Sequence, residues 1–131
     1  MVWGADEAMQ RVQDDVRRAQ SRAERYPALQ SALDGVRGGA ISVRRDLSVE
    51  VDASGVLRDL RIGDGALERG GDRLAGEIFE LISKATREAR ARTLAATTEI
   101  MGDDDPIVKT IAAELDARNA DDDLGRPGGT R

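Results

Sequence analysis

Arg11, Arg18, Arg22 and Arg25 recur with Asp15 at spacings of 4, 3, 4 and 3 near the start of the chain, the intervals that place side chains on one helical face. A row of guanidinium groups, permanently charged and rich in donors, is suited to phosphate contact. The row on the other side of the same segment, Gln10, Gln13, Arg17, Gln20 and Glu24, is nearly neutral. A second basic cluster holds Lys84, Arg87, Arg90 and Arg92. Glu80 and Glu88 precede Lys84 and Arg92 by four residues and absorb part of their charge, as i, i+4 pairs do. Arg87 and Arg90 are therefore the expected phosphate contacts of that cluster. The competing reading of the first stripe is a solvated coiled-coil flank whose arginines pair with glutamates across an interface.

Other chemistry has little to stand on. The 131 residues contain neither histidine nor cysteine, which removes the commonest general base and metal ligand together with disulfide and thiolate chemistry. The stretches Gly35-Val36-Arg37-Gly38-Gly39 and Gly63-Asp64-Gly65 lack the lysine and the strand-loop-helix spacing of a phosphate cradle. Asp103-Asp104-Asp105 lacks the alternating ligands of a calcium loop. The expectation is a protein that is not an enzyme, with no cofactor, no metal and no small-molecule substrate. Trp3, Tyr26 and Phe79 are the only aromatic residues, too few for the platforms on which single-stranded nucleic acid stacks. No signal-peptide pattern and no apolar run of membrane-spanning length occurs, so a soluble, cytoplasmic protein without membrane contact is expected. The net charge of −5 is unevenly placed: residues 1–101 carry 16 basic against 17 acidic side chains, and residues 102–131 carry 4 against 8. A near-neutral body can bind phosphate if its positive charges share a face.

The elements that must position these arginines follow from periodicity. Val2, Ala5, Met9, Val12, Val16, Ala19, Ala23 and Tyr26 form an unbroken heptad seam, which predicts a long helix meeting a second subunit through Met9, Val12, Val16, Ala19 and Ala23. Pro27 is expected to kink that helix or begin a new turn bearing Ala28, Leu29 and Leu33. Between Gly35 and Gly65 the period falls to two: Ile41 and Val43, then Leu47, Val49 and Val51, then Val56, Leu60 and Ile62 read as three strands. Asp52-Ala53-Ser54-Gly55 is the hairpin turn between the last two. Gly38 and Gly39 mark a bulge or a close backbone approach. Polar Ser48, Glu50, Asp52, Asp59 and Arg61 leave one sheet face wet. From about Asp72 a broad apolar stripe predicts a second long helix packed on the sheet, narrowing to Thr93, Ala96 and Ile100 as it runs on toward a partner, with Gly102 as its stop.

The reading is an α+β fold of order α-β-β-β-α in an intertwined or helix-paired homodimer. Residues 1–101 form the dimerising domain and 102–131 an acidic extension, with a short helix over about 106–118 and disorder over 119–131. Its aspartate runs, 103–105 and 121–123, either keep a tail solvated or fold back on the arginine stripes as phosphate mimics.

This order, and above all Leu47-Ser48-Val49-Glu50-Val51-Asp52-Ala53-Ser54-Gly55-Val56-Leu57-Arg58-Asp59-Leu60-Arg61-Ile62 followed by Gly63-Asp64-Gly65-Ala66-Leu67, resembles the YbaB/EbfC family of bacterial nucleoid-associated proteins over roughly residues 5 to 101. The resemblance implies a tweezer-shaped homodimer whose protruding helices hold double-stranded DNA with little sequence preference, on the nucleoid. The acidic ending departs from the family's pattern. That ending and the arginine-rich, lysine-poor composition resemble actinobacterial members, some encoded beside type VII secretion systems, which implies protein contact as the alternative function. Trp3-Gly4 is not the Trp-x-Gly turn of that system's small substrates, which argues against secretion.

Overall fold

The structure is a computed structural model that describes residues 3–124. Val2 of the seam, the side chain of Asp123 and residues 125–131 of the expected disordered tail lie outside the described residues. The elements are α1 (Trp3–Asp34), β1 (Arg37–Ile41), β2 (Leu47–Asp52), β3 (Leu57–Ile62), a short α2 (Asp64–Leu67), α3 (Gly71–Met101) and α4 (Pro106–Leu124). The expected α-β-β-β-α core is present, with a further helix behind it.

The strands pair antiparallel in the order β1-β2-β3. The hairpin turn is held by Asp52, whose Oδ1 accepts the amides of Ser54 at 2.9 Å and Val56 at 3.0 Å. Gly55 there adopts φ +82°, a conformation that glycine enters without steric cost. A register shift after Glu50 leaves Arg58 as the extra residue of β3. The first strand differs from expectation: it ends at Ile41, and Val43, 99% exposed, sits in the connection. Ser42 causes this. Its Oγ accepts the amides of Asp46 (3.1 Å) and Leu47 (3.0 Å) and donates to Asp46 Oδ1 (2.9 Å), folding the chain into a turn where apolar alternation alone continues a strand.

Leu47, Val49 and Val51 of β2 are buried against Leu81, Ala85 and Ala89 of α3, with Val36 and Ala66 completing the core. A large apolar side chain buried in this way contributes about 1.5–3 kcal/mol. The helix comes closest to the sheet at Gly38: a Cβ there would lie 2.1 Å from the Ala85 carbonyl oxygen and 2.5 Å from the Ala89 nitrogen. The close-approach reading of this glycine is the correct one, and the bulge lies elsewhere. Because α3 sits over β1 and β2, every residue of β3 is exposed. Register places Leu57, Leu60 and Ile62 beside Val51, Val49 and Leu47 on the core face, so an apolar row continues the core outward without a cover.

A second cluster of Leu29, Met101 and Val108 joins α1, α3 and α4, with Leu33, Leu94, Ile100 and Ile107 around it. This packing explains why α1 runs through Pro27 to Asp34 where a kink or a new turn was expected. The proline removes one ladder hydrogen bond, and burial of Leu29 nearby offsets that cost. Residues 4–20 of α1 are exposed throughout, an arm outside both cores. The connection from β3 to α3 is fixed by Arg69, whose side chain is only 7% exposed: it reaches Asp46 at 2.6 and 3.0 Å and Glu77 at 2.6 and 2.9 Å. Its guanidinium, with the Ser42 hydroxyl, holds the Asp46 carboxyl down to about 2 from the ordinary 3.8.

Gly38→Ala forces backbone apart, and overpacking of this kind costs about 1–3 kcal/mol, occasionally more, so the variant should show a clear drop in stability in chemical denaturation while Gly39→Ala, whose nearest neighbour to a new Cβ lies at 3.6 Å, is far milder. The depressed Asp46 pKa stabilises the fold fully above the ordinary aspartate value of 3.8, and that contribution is lost as pH falls from there through about 2, because the folded state resists protonation. Thermal midpoints measured between pH 6 and pH 2 should fall, and less steeply in Asp46→Asn.

Candidate nucleic-acid interface

The six expected phosphate contacts divide into two groups. Arg11 and Arg18 lie on the exposed arm of α1 and, among the described residues, form no ion pair. Further along the same stripe Arg22 and Arg25 reach the corner between α3 and α4. Arg22 engages Asp105 through both ends of its fork, Nε to Oδ2 at 2.8 Å and Nη2 to Oδ1 at 3.0 Å. Arg25 Nη1 donates to the Met101 carbonyl at 3.3 Å. A bidentate arginine–carboxylate pair is among the stronger and more specific hydrogen-bonded contacts.

Asp105 has a second duty. Its Oδ1 accepts the amide of Ile107 at 2.9 Å, so it caps the first turn of α4, and its side chain is 5% exposed. The Arg22 hydrogen bonds, then the Ile107 amide, hold its carboxyl below the ordinary aspartate range, and Asp105 in turn raises Arg22. Asp103 and Asp104, beside it, are exposed.

On α3, Arg92 pairs with Glu88 at 3.0 Å, as the spacing predicts, and Arg87 is exposed. Arg90 is engaged in a way no local spacing shows. Its Nη1 donates to Asn119 Oδ1 at 2.8 Å and to Asp122 Oδ2 at 2.6 Å, across 29 and 32 residues of sequence. These bonds belong to the last turns of α4, which runs on to Leu124. Residues 119–124 are therefore helical where disorder was expected, because Asn119 and Asp122 have an arginine to hold. Among the described side chains, each run sends an aspartate back to an arginine stripe, Asp105 to Arg22 and Asp122 to Arg90.

Of the residues expected at a subunit interface, Met9, Val12, Val16, Ala19 and Ala23 are all exposed, Met9 at 64% and Val12 at 61%. Thr93, Ala96 and Ile100 are half-buried within one chain: the Thr93 hydroxyl donates to the Ala89 carbonyl at 2.9 Å, and Ile100 packs on the Leu29–Met101–Val108 cluster. The narrowing of the α3 stripe marks coverage by α1 and α4 as well as any partner. In sequence Val56, Leu60 and Ile62 read as the apolar positions of a third strand; the uncovered row is Leu57, Leu60 and Ile62, since alternation does not show how far a helix extends over a face.

Among the described residues no group of three or more acidic side chains is placed to hold a metal ion, and no helix is long and apolar enough to cross a membrane. The surface clefts are shallow and lie on the faces and edges of the sheet or beside α4. An exposed helical arm with a one-sided arginine stripe, carried on a small α+β core, is the build of a macromolecule-binding protein. Comparison with protein families agrees: residues 6–104 match the YbaB/EbfC DNA-binding family, and the chain belongs to that family. Membership implies nucleoid-associated DNA binding. No match was found among curated proteins or among solved structures. Helix α4 begins at Pro106, just beyond the family match.

Proposed function

We propose that the chain is a homodimer that holds double-stranded DNA with little sequence preference, in the cytoplasm on the nucleoid, through the arginines of its helical arms. The observation that carries the reading is the α1 arm itself: Arg11 and Arg18 stand exposed on a helix that lies outside both cores. Its apolar seam through Met9, Val12 and Val16 is uncovered, as is the β3 row. Apolar surfaces of this extent are uncommon on a lone chain and mark contact with another molecule. A second copy, covering the seam, presents the basic flank twice about a two-fold axis. Arg22, Arg25, Arg87 and Arg90 extend the same charge along α1 and onto α3. Arginine contacts of this kind reach phosphates, which position a protein without reading bases.

The test is titration of a labelled DNA duplex with the full chain at about 50 and about 200 mM salt, beside an Arg11→Gln/Arg18→Gln variant. Wild-type affinity should fall steeply with salt, since displaced counterions set the slope. The variant should bind more weakly to every duplex sequence, with a slope flatter by about one unit for each phosphate it no longer neutralises. Absence of binding at low salt would contradict the reading and favour a protein-interaction role for the same fold, such as an accessory factor of a secretion system.

A further inference from the structure

Helix α4 is attached unequally along its length. Its first turns are buried: Val108 enters the second core, Ile107 packs beside it, and Asp105 caps the helix while gripping Arg22. Its later turns stand over a cleft of about 200 Å³ lined by Ile111 and Leu115 on one side and by Thr86, Arg90 and the hairpin turn at Gly55 on the other. Beyond that cleft the contacts seen are polar, from Asn119 and Asp122 to Arg90. The first half is thus an anchor and the second half is held by groups that a phosphate can replace. Arg90 is itself poised for exchange, because a guanidinium binds carboxylate or phosphate oxygens in the same geometry.

We propose that α4 is a built-in competitor for the DNA backbone: Asp122, with Asn119, occupies the phosphate-binding position of Arg90, and DNA must displace the distal turns of α4 to engage that arginine. This inference rests on the reading that the arms hold DNA and assigns its regulation. The Asp105–Arg22 pair fixes the pivot, so displacement leaves the helix tethered beside the site. The competitor carries its own charge: Glu114, Asp116, Asp121, Asp122 and Asp123 lie on α4 against Lys109 and Arg118, and repel an approaching backbone until the helix swings away. The outcome is a protein whose grip on DNA is weaker than its arginine count suggests and is strengthened by whatever holds α4 off Arg90.

The experiment uses the full chain and a labelled duplex over a salt series, with wild type, Asp122→Asn, Arg90→Gln, the double variant, and Asp121→Asn as a charge-matched control on an exposed neighbour. Asp122→Asn should bind up to about fivefold tighter than wild type, the scale expected for releasing one surface ion pair, with a salt slope steeper by about one unit. Arg90→Gln should cancel the gain in the Asp122→Asn background. Asp121→Asn should give a distinctly smaller gain. Equal gains from Asp121→Asn and Asp122→Asn would overturn the proposal by reducing the effect to net charge. Wild-type binding that does not rise on Asp122→Asn would overturn it too, leaving DNA binding intact. If wild type and every variant fail to bind, both the competitor and the DNA reading are overturned, whereas binding restored by Asp122→Asn alone supports both.

Discussion

The approach of α3 to β1 at Gly38 is the constraint from which the rest of the architecture follows. With no side chain at that position, the helix backbone settles onto the strand backbone, and the small Ala85 and Ala89 complete the contact. A helix seated this low over β1 and β2 buries Leu47, Val49 and Val51 thoroughly, yet it cannot also cover β3. The price of a tight core on one side of the sheet is an apolar row left bare on the other. The Arg69 pairs with Asp46 and Glu77 then tie the β3–α3 connection to the β1–β2 turn and to α3.

From the same placement comes the course of α1. It returns along the far half of α3 and shares the second cluster with Met101 and Val108, so only its C-terminal part is used by its own chain. The remainder, residues 4–20, carries an apolar seam and a basic flank into solvent. An amphipathic arm with no internal partner is stable only when something covers it, since helices in proteins draw most of their stability from packing. On the proposed function, self-association would use the seam and DNA contact the arginine flank of this one element. The acidic α4, beyond the residues matched to the family, adds a counterweight at Arg90.

Much of this was legible in the residues. The heptad seam, the change to period two and back, the hairpin at Asp52–Gly55 and the stop at Gly102 each rest on local chemistry, and local chemistry is what sequence displays. What was not legible depended on distant partners. Pro27 argued for a break, and only burial of Leu29 against Met101 explains the continuous helix. Val43 fitted a strand pattern until Ser42 folded the chain back on Asp46. Arg69 carried no periodic signal, although it ties together three segments. Asn119 and Asp122 read as disordered composition because Arg90 lies about thirty residues away in sequence. The charge stripes were visible from spacing; which of their arginines are engaged was not, because ion pairs across the fold leave no local trace.

On the proposed function, a second copy covers the seam of α1 and the bare row of β3 and duplicates the basic arm. The most direct measurement is the mass of the full chain in solution by light scattering at micromolar concentration. A dimer has about twice the 14.1 kDa of one chain, and that is the expected result. A folded species of 14.1 kDa that persists as concentration rises would contradict it.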